Sequence, residues 1–298
     1  MLAVVIPYYK LSFFEATLKS LANQTNKRFK VYIGDDASPE NPFTLLEKYN
    51  DKFNFVYHRF KSNLGTISLT QQWERCIKMT ANEEWLMILG DDDVLEVNIV
   101  EEFYNNIEEV EQKGINVIRF ASQKIGGKGK VTSKIYEHPK IEKAVQFLFD
   151  KTRSSLSEYV FRKSQVVKIR FKNFPLAWYS DVLAVLEFSN FTVIFSVNTA
   201  VVYVRISKLS ISGSILNNQL KLQARFEFYC YLVSKKSNFF SIIELEELYY
   251  RLNKCYINNK KQYAFFLKIS KIYLHKMLFK EYVFFIKQIV FTKKNRIV

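Results

Sequence analysis

The chain of 298 residues is 48% hydrophobic with only 8 Gly and 5 Pro, which excludes disorder and low complexity and leaves room for one large or two ordinary domains. Three scattered cysteines, Cys76, Cys230 and Cys255, and three scattered histidines, His58, His138 and His275, offer neither a disulfide framework nor a zinc site and fit a reducing, cytoplasmic setting. The formal charge is +15, and residues 206–298 hold 17 Lys and Arg against 5 Glu; a nearly neutral body with a basic end points to an anionic surface, and no recognised motif points to nucleic acid.

Residues 2–7 form an apolar run of strand length that stops at Pro7, followed by Tyr8, Tyr9 and a helical pattern over 11–23. A second strand is expected over 29–33, with Gly34, Asp35, Asp36, Ala37, Ser38 and Pro39 as a polar turn. Next come a helix near 43–49, a third strand near 53–59, a turn at Asn63, Leu64 and Gly65, a helix over 67–79 and a fourth strand over 85–89. Strands alternating with helices through short connections imply a mostly parallel sheet covered on both faces. A strand starting at residue 2 leaves no room for a secretory signal, and no apolar run approaches the ~20 residues needed to cross a bilayer, so a soluble or peripheral protein is expected.

The fourth strand breaks at Gly90 and is followed at once by Asp91, Asp92 and Asp93. Three adjacent carboxylates repel one another unless a cation, a helix N-terminus or water offsets the charge. Hard divalent ions such as Mg²⁺ or Mn²⁺ suit such oxygens, with substrate phosphates completing the shell; the alternative is that Asp92 or Asp93 caps the next helix. In open sheets of this kind ligands sit outside the carboxyl ends of the strands. Three strand ends here carry groups suited to a nucleotide diphosphate: Pro7, Tyr8 and Tyr9 to stack on a base, Asp35 and Asp36 to accept from base or ribose, and the acidic run to hold a metal. Packing tyrosines and an Asx-type turn through Ser38 are the structural alternatives.

Beyond the acids, a helix is expected over 98–113, a strand over 116–120, a turn at Gly126, Gly127 and Gly129, a helix over 140–150 and an extended piece over 157–162. Residues 171–181 run into an apolar helix over 182–188, with Ser180 or Asp181 placed to cap it and Trp178 and Tyr179 beside them as a sugar platform or as core. A last strand over 200–205 leads to a polar loop in which Arg205, Ser207 and Lys208 suit a diphosphate leaving group. From about residue 215 the pattern turns to aromatic, basic helices. Lys276, Lys280, Lys287 and Lys294 share one stripe opposite Leu278, Tyr282, Phe285, Ile286 and Ile289, a pattern that suits a membrane interface or packing onto protein.

Residues 1–110 resemble the nucleotide-sugar half of a family-2 glycosyltransferase of the GT-A fold. The resemblance rests on the order and spacing of Pro7-Tyr8-Tyr9, Asp35-Asp36-Ala37-Ser38, Asn63-Leu64-Gly65 and an apolar strand ending in an Asp-x-Asp metal motif. It implies an α/β fold: a mixed, mostly parallel sheet flanked by helices, with residues 1–214 catalytic (1–110 for the donor, 111–214 for the acceptor) and 215–298 a helical tail. Gly90 departs from the commoner Leu-Asp-x-Asp-Asp form, so the metal pair reads as Asp91 with Asp93 in one frame and Asp92 with Asp93 in the other. In inverting members an acid at the start of a helix is the general base, and by chain order that is Asp181. The resemblance further implies a Mn²⁺ or Mg²⁺ cofactor and a nucleotide diphosphate sugar donor, UDP-sugar favoured. The basic tail suits a glycan or lipid-linked acceptor. With the tail charge, the resemblance gives surface-polysaccharide assembly by a peripheral protein on the inner face of the cell membrane, with homo-oligomers possible. A nucleotide-sugar-binding assembly partner without activity and a nucleotidyltransferase are the alternatives.

Overall fold

The computed structural model describes residues 1–150, 154–207 and 217–294, the last three of these by their backbone alone. The chain divides into two compact units, Met1–Leu216 and Asn217–Val298. The first opens with β1 (Leu2–Tyr8), α1 (Phe14–Ala22), β2 (Phe29–Asp35), α2 (Phe43–Glu47), β3 (Phe55–Arg59), α3 (Leu69–Ile77) and β4 (Trp85–Ile88). It continues with β5 (Val94–Leu95), α4 (Ile99–Gln112), β6 (Val117–Ile125), β7 (Ile141–Lys143), α5 (Ala144–Phe149), β8 (Tyr159–Arg162), α6 (Lys163–Ile169), α7 (Ser180–Phe188) and β9 (Val193–Arg205). All nine strands join one sheet of order β3-β2-β1-β4-β8-β6-β9-β5, with β7 also on β9.

The first four strands are parallel where they pair, Leu2 facing Phe29 on one side and Trp85 on the other. A central parallel strand is buried on both faces, and β1 is apolar from end to end for that reason. On one face Val4 and Ile6 of β1, Val31 and Ile33 of β2 and Met87 of β4 join Phe14, Leu18 and Leu21 of α1 and Val100 and Phe103 of α4 in one core. Each such side chain contributes about 1.5–3 kcal/mol when fully buried. Farther along the sheet Phe161 of β8, Phe188 of α7 and Phe171, which lies outside any helix or strand, meet edge to face.

Two of the differences from expectation have a clear physical reason. Residues 141–143 of the expected 140–150 helix are strand β7, paired with β9, because Glu142 points inward to a buried partner while its neighbours face outward. The last strand starts at Val193 rather than 200. Its register against β6 jumps from Phe120↔Val197 to Ala121↔Val201, and Asn198, left in the bulge, exchanges hydrogen bonds with the main chain of His138.

The second unit comprises α8 (Asn218–Lys235), α9 (Ile242–Ile257), α10 (Tyr263–His275) and α11 (Phe279–Lys294). Helix α9 starts at a capping box between Ser241 and Glu244. Phe226 and Phe265 stack with centroids 3.7 Å apart. Phe285 of α11 is fully buried against Tyr256, Phe266 and Tyr273. The apolar side of α11 is therefore core, not an open face. Its other side carries exposed Val283, Phe284, Val290 and Phe291 alongside exposed Lys280 and Lys287. Among the described residues no helix is long and apolar enough to cross a membrane.

Candidate functional site

The carboxyl ends of β1, β2 and β4 meet. Asp36 donates its backbone N–H to the Tyr8 carbonyl at 3.0 Å, and Asp91 Oδ2 accepts from the backbone N–H groups of Tyr9 and Lys10, both at 2.8 Å. Ser38 Oγ donates to the Tyr9 carbonyl at 2.6 Å. The strand ends named in the sequence thus form one rim, as parallel pairing of β1 with both β2 and β4 requires.

At that rim several expected contact residues turn inward. Tyr8 is fully buried, its ring 4.7 Å from that of Phe14 and its hydroxyl donating to the Glu40 carbonyl; it cannot stack on a base, and the half-buried aromatic there is Tyr9. Asp35 is fully buried and accepts from Ser38 N, Tyr57 Oη and Arg59 Nη1 at 2.8, 2.6 and 3.0 Å. The Asx-type turn is real, and the carboxylate also ties β2 to β3. Asp36 accepts from the N–H groups of Leu64 and Gly65 at 2.7 and 2.8 Å and pairs with Arg75. Gly65 is glycine because a Cβ there would lie 2.5 Å from Asp36 Oδ2. Asn63 Oδ1 receives Thr66 N and closes the same turn. These residues shape the rim by locking its loops.

The acidic run does not cap a helix, since β5 intervenes and α4 begins only at Ile99. Asp93 is buried, its Oδ1 accepting from Arg205 N at 2.8 Å and its Oδ2 from Ser157 Oγ at 2.5 Å. Arg205 is likewise not aimed at a free diphosphate position: its guanidinium donates to the carbonyls of Asp92, Gly126 and Gly127 and packs over Phe13. It holds the acidic loop against the glycine turn. Lys208, the other expected cation, lies outside the described residues.

Asp92 is different. Among the described residues its carboxylate receives no hydrogen bond, only its main-chain carbonyl being engaged. Burial, then the charges of Asp93 and Asp91, pushes it up to about 8; burial also raises Asp91, against the pull of the Lys10 and Tyr9 amides. Gly90 keeps the space open, because a Cβ on it would sit 3.1 Å from both Asp92 Oδ1 and Asp93 Oδ2. No group of three or more His, Cys, Asp or Glu encloses a metal position among the described residues. One or two carboxylates with open space beside them nonetheless fit a hard divalent ion that takes its other oxygens from phosphates and water. Asp92 fits best, since Asp91 Oδ2 is held by two amides and both oxygens of Asp93, the acid common to the two sequence frames, already accept hydrogen bonds.

A pH dependence follows. The folded protein keeps a proton on Asp92 that the unfolded chain, at an ordinary 3.8, has released, so the stability this gives is present below pH 4 and is lost as pH rises to about 8. In chelator the melting temperature is expected to fall between pH 5 and pH 8, and Asp92→Asn to flatten that fall. An unchanged slope in Asp92→Asn would assign it to another group.

Between residues 170 and 179 the chain is strained. Arg170, Leu176, Ala177 and Tyr179 have φ of 66°, 58°, 51° and 71°, a left-handed conformation that costs non-glycine residues of order 1–3 kcal/mol each. Tyr179 opens α7 without a side-chain cap, and Ser180 Oγ donates instead to the Lys172 carbonyl. Asp181 therefore stands in the first turn, partly exposed, accepting from Ser154 Oγ at 3.2 Å. Trp178 and Tyr179 are also partly exposed. Ser157, which holds Asp93, lies three residues from Ser154, so their Cα atoms are at most about 10 Å apart. One short segment thus brings Asp181 and the acidic run into a common region. Sequence reading missed both serines.

A half-parallel, mixed sheet whose carboxyl ends gather two acidic turns is the GT-A arrangement of nucleotide-sugar enzymes. The chain matches the model of glycosyl transferase family 2 over residues 3–172 and belongs to that family. It is 40% identical to the chondroitin synthase of Pasteurella multocida (strain Pm70) over 62 residues, 20% of this chain and only 6% of that one. Among solved structures it is similar to S. aureus TarS 1-349 in complex with UDP-GlcNAc, with a TM-score of 0.63 and 14% identity over 87% of this chain and 73% of that one. TarS 1-349 in complex with UDP gives 0.56 and 14% over 91% and 88%. At such identities the likeness is one of fold.

Proposed function

We propose that the protein transfers a sugar, with inversion, from a nucleotide diphosphate sugar to a hydroxyl of a glycan or lipid-linked acceptor in surface-polysaccharide assembly. The observation that carries this is the rim where β1, β2 and β4 end, at which Asp92 keeps a carboxylate without a hydrogen-bond partner among the described residues, beside the gap at Gly90. The Tyr9–Lys10 turn binds the nucleotide end. Trp178 and Tyr179 hold the acceptor ring, and Asp181 takes the proton from the acceptor hydroxyl as its oxygen attacks the anomeric carbon. The sugar–phosphate bond breaks and the nucleoside diphosphate leaves. Asp92, with Asp91 and Asp93 beside it, would hold a Mn²⁺ or Mg²⁺, which when bound would supply neutralising charge for that leaving group. UDP-sugars are the first donors to test, given the ligands named with the TarS structures.

The test is release of nucleoside diphosphate from a panel of UDP-, GDP- and dTDP-sugars, UDP-N-acetylglucosamine first, with and without chondroitin oligosaccharide or an undecaprenyl-linked sugar as acceptor. Turnover is expected in Mn²⁺, to vanish in EDTA and to fall at least 100-fold in Asp92→Asn. Binding of nucleotides without turnover would leave only a binding protein.

The second unit is read as the membrane-facing part. Phe284 and Phe291, 61% and 63% exposed, flank Lys280 and Lys287 on the outer side of α11, which suits apolar insertion with lysines toward anionic headgroups. Each lysine contributes about 1 kcal/mol at such a surface, so Lys280→Ala with Lys287→Ala should weaken binding to phosphatidylglycerol vesicles about 30-fold. Cosedimentation equal to wild type would make α11 a purely structural helix.

A further inference from the structure

Two hydroxyls stand behind Asp181 in series. Ser154 Oγ lies 3.2 Å from Asp181 Oδ2 and 3.0 Å from Tyr159 Oη. A serine hydroxyl has one proton, and an ionised carboxylate can only accept. Ser154 therefore donates to Asp181, and Tyr159 must donate to Ser154. The direction of the series is fixed by the charge of the acid at its end.

Its far end is anchored in the sheet. Tyr159 is fully buried on β8, its ring packed against those of Phe147 and Phe161, with centroids at 6.4 and 5.7 Å. It faces Arg119 across the β6–β8 pairing, and Arg119 is held by Glu142 at 2.6 Å and by Ser196. Burial keeps the Tyr159 hydroxyl protonated, well above the usual tyrosine range, so it stays a donor throughout the working pH range. Asp181, by contrast, stands on a helix entered through left-handed Tyr179 without a side-chain cap. The same short segment that carries Ser154 also carries Ser157, which bonds Asp93.

We propose that Ser154 and Tyr159 are positioning residues, a hydroxyl relay that holds the Asp181 carboxylate at a set distance and orientation from the acidic rim. The proposal rests on the reading of Asp181 as the general base. Neither residue touches the reacting atoms; both act through Asp181. Loss of either hydroxyl removes a hydrogen bond that sets the orientation of the carboxylate, and misplacement by about 1 Å costs up to about 100-fold in rate.

The experiment measures kcat and donor KM of the full chain with UDP-N-acetylglucosamine and the acceptors above, in wild type, Tyr159→Phe, Ser154→Ala, Ser154→Thr and Asp181→Asn. Tyr159→Phe and Ser154→Ala are expected to lower kcat about 10- to 100-fold with donor KM unchanged, and Ser154→Thr, which keeps a hydroxyl, to recover most of it. A merely structural role would move KM and melting temperature as well and would not depend on the hydroxyl. Wild-type kcat in both Tyr159→Phe and Ser154→Ala, with Asp181→Asn inactive, overturns the relay and leaves the base in place. Full activity in Asp181→Asn, or no turnover by wild type, overturns the base and the relay with it.

Discussion

Asp181→Asn is expected to bind UDP as tightly as wild type and to lose about 10²–10⁴-fold in kcat, the usual worth of a positioned general base. The substitution is close to isosteric. The amide oxygen can still accept from Ser154, which donates to Oδ2 in the wild type, so the first turn of α7 should keep its place. What disappears is the capacity to accept a proton as the acceptor oxygen attacks. Donor binding is assigned to the other side of the rim, to the turn after β1 and the acidic run, so it should survive the change. Calorimetry with UDP and single-turnover transfer separate the two effects. A variant with wild-type kcat would remove the base assignment. One with weakened UDP affinity would show that Asp181 belongs to the donor site.

The scaffold was legible because its physics is local. Strands buried on both faces must be apolar throughout, so β1, β2 and β4 stand out as runs, and short connections between alternating strands and helices leave a parallel sheet as the simplest closure. The convergence at the rim followed from that topology. The roles within it were less legible. Asp35 and Asp36 have the same residue type and spacing whether they face a ribose or lock a loop. The partners that decide, Tyr57 and Arg59 for one and Leu64, Gly65 and Arg75 for the other, lie 22 to 39 positions away. Arg205 was expected at a diphosphate on charge alone, and three main-chain carbonyls claim it. Strands β5 and β7, two and three residues long, are too short to show a period. Ser154 and Ser157 carry no signal of their own, since a serine beside a strand is ordinary until its neighbours in space are known.

Breaking the buried ion pair of Arg119 and Glu142 should produce a large stability effect, and one of a particular form. Their side chains are 0% and 4% exposed, with the guanidinium nitrogen 2.6 Å from the carboxylate. Burial pushes Glu142 above the usual carboxylate range despite Arg119 beside it, and Nη1 of Arg119 has no hydrogen-bond partner among the described residues. Removing two charges from water is therefore poorly repaid, and the pair adds little net stability. Removing one partner is another matter: it leaves a buried charge alone, at a cost of about 3–5 kcal/mol. Glu142→Gln is expected to lower the melting temperature by roughly 10 °C, whereas Arg119→Met combined with Glu142→Leu should recover most of that loss, because no charge then remains. Thermal melts of the single and double variants decide it. Were the double variant as unstable as Glu142→Gln, the cost would come from packing around β7 rather than from the stranded guanidinium. The same pair sits behind Tyr159, so recovery of stability by an apolar replacement without recovery of rate would place the role of this buried charge in catalysis rather than in folding.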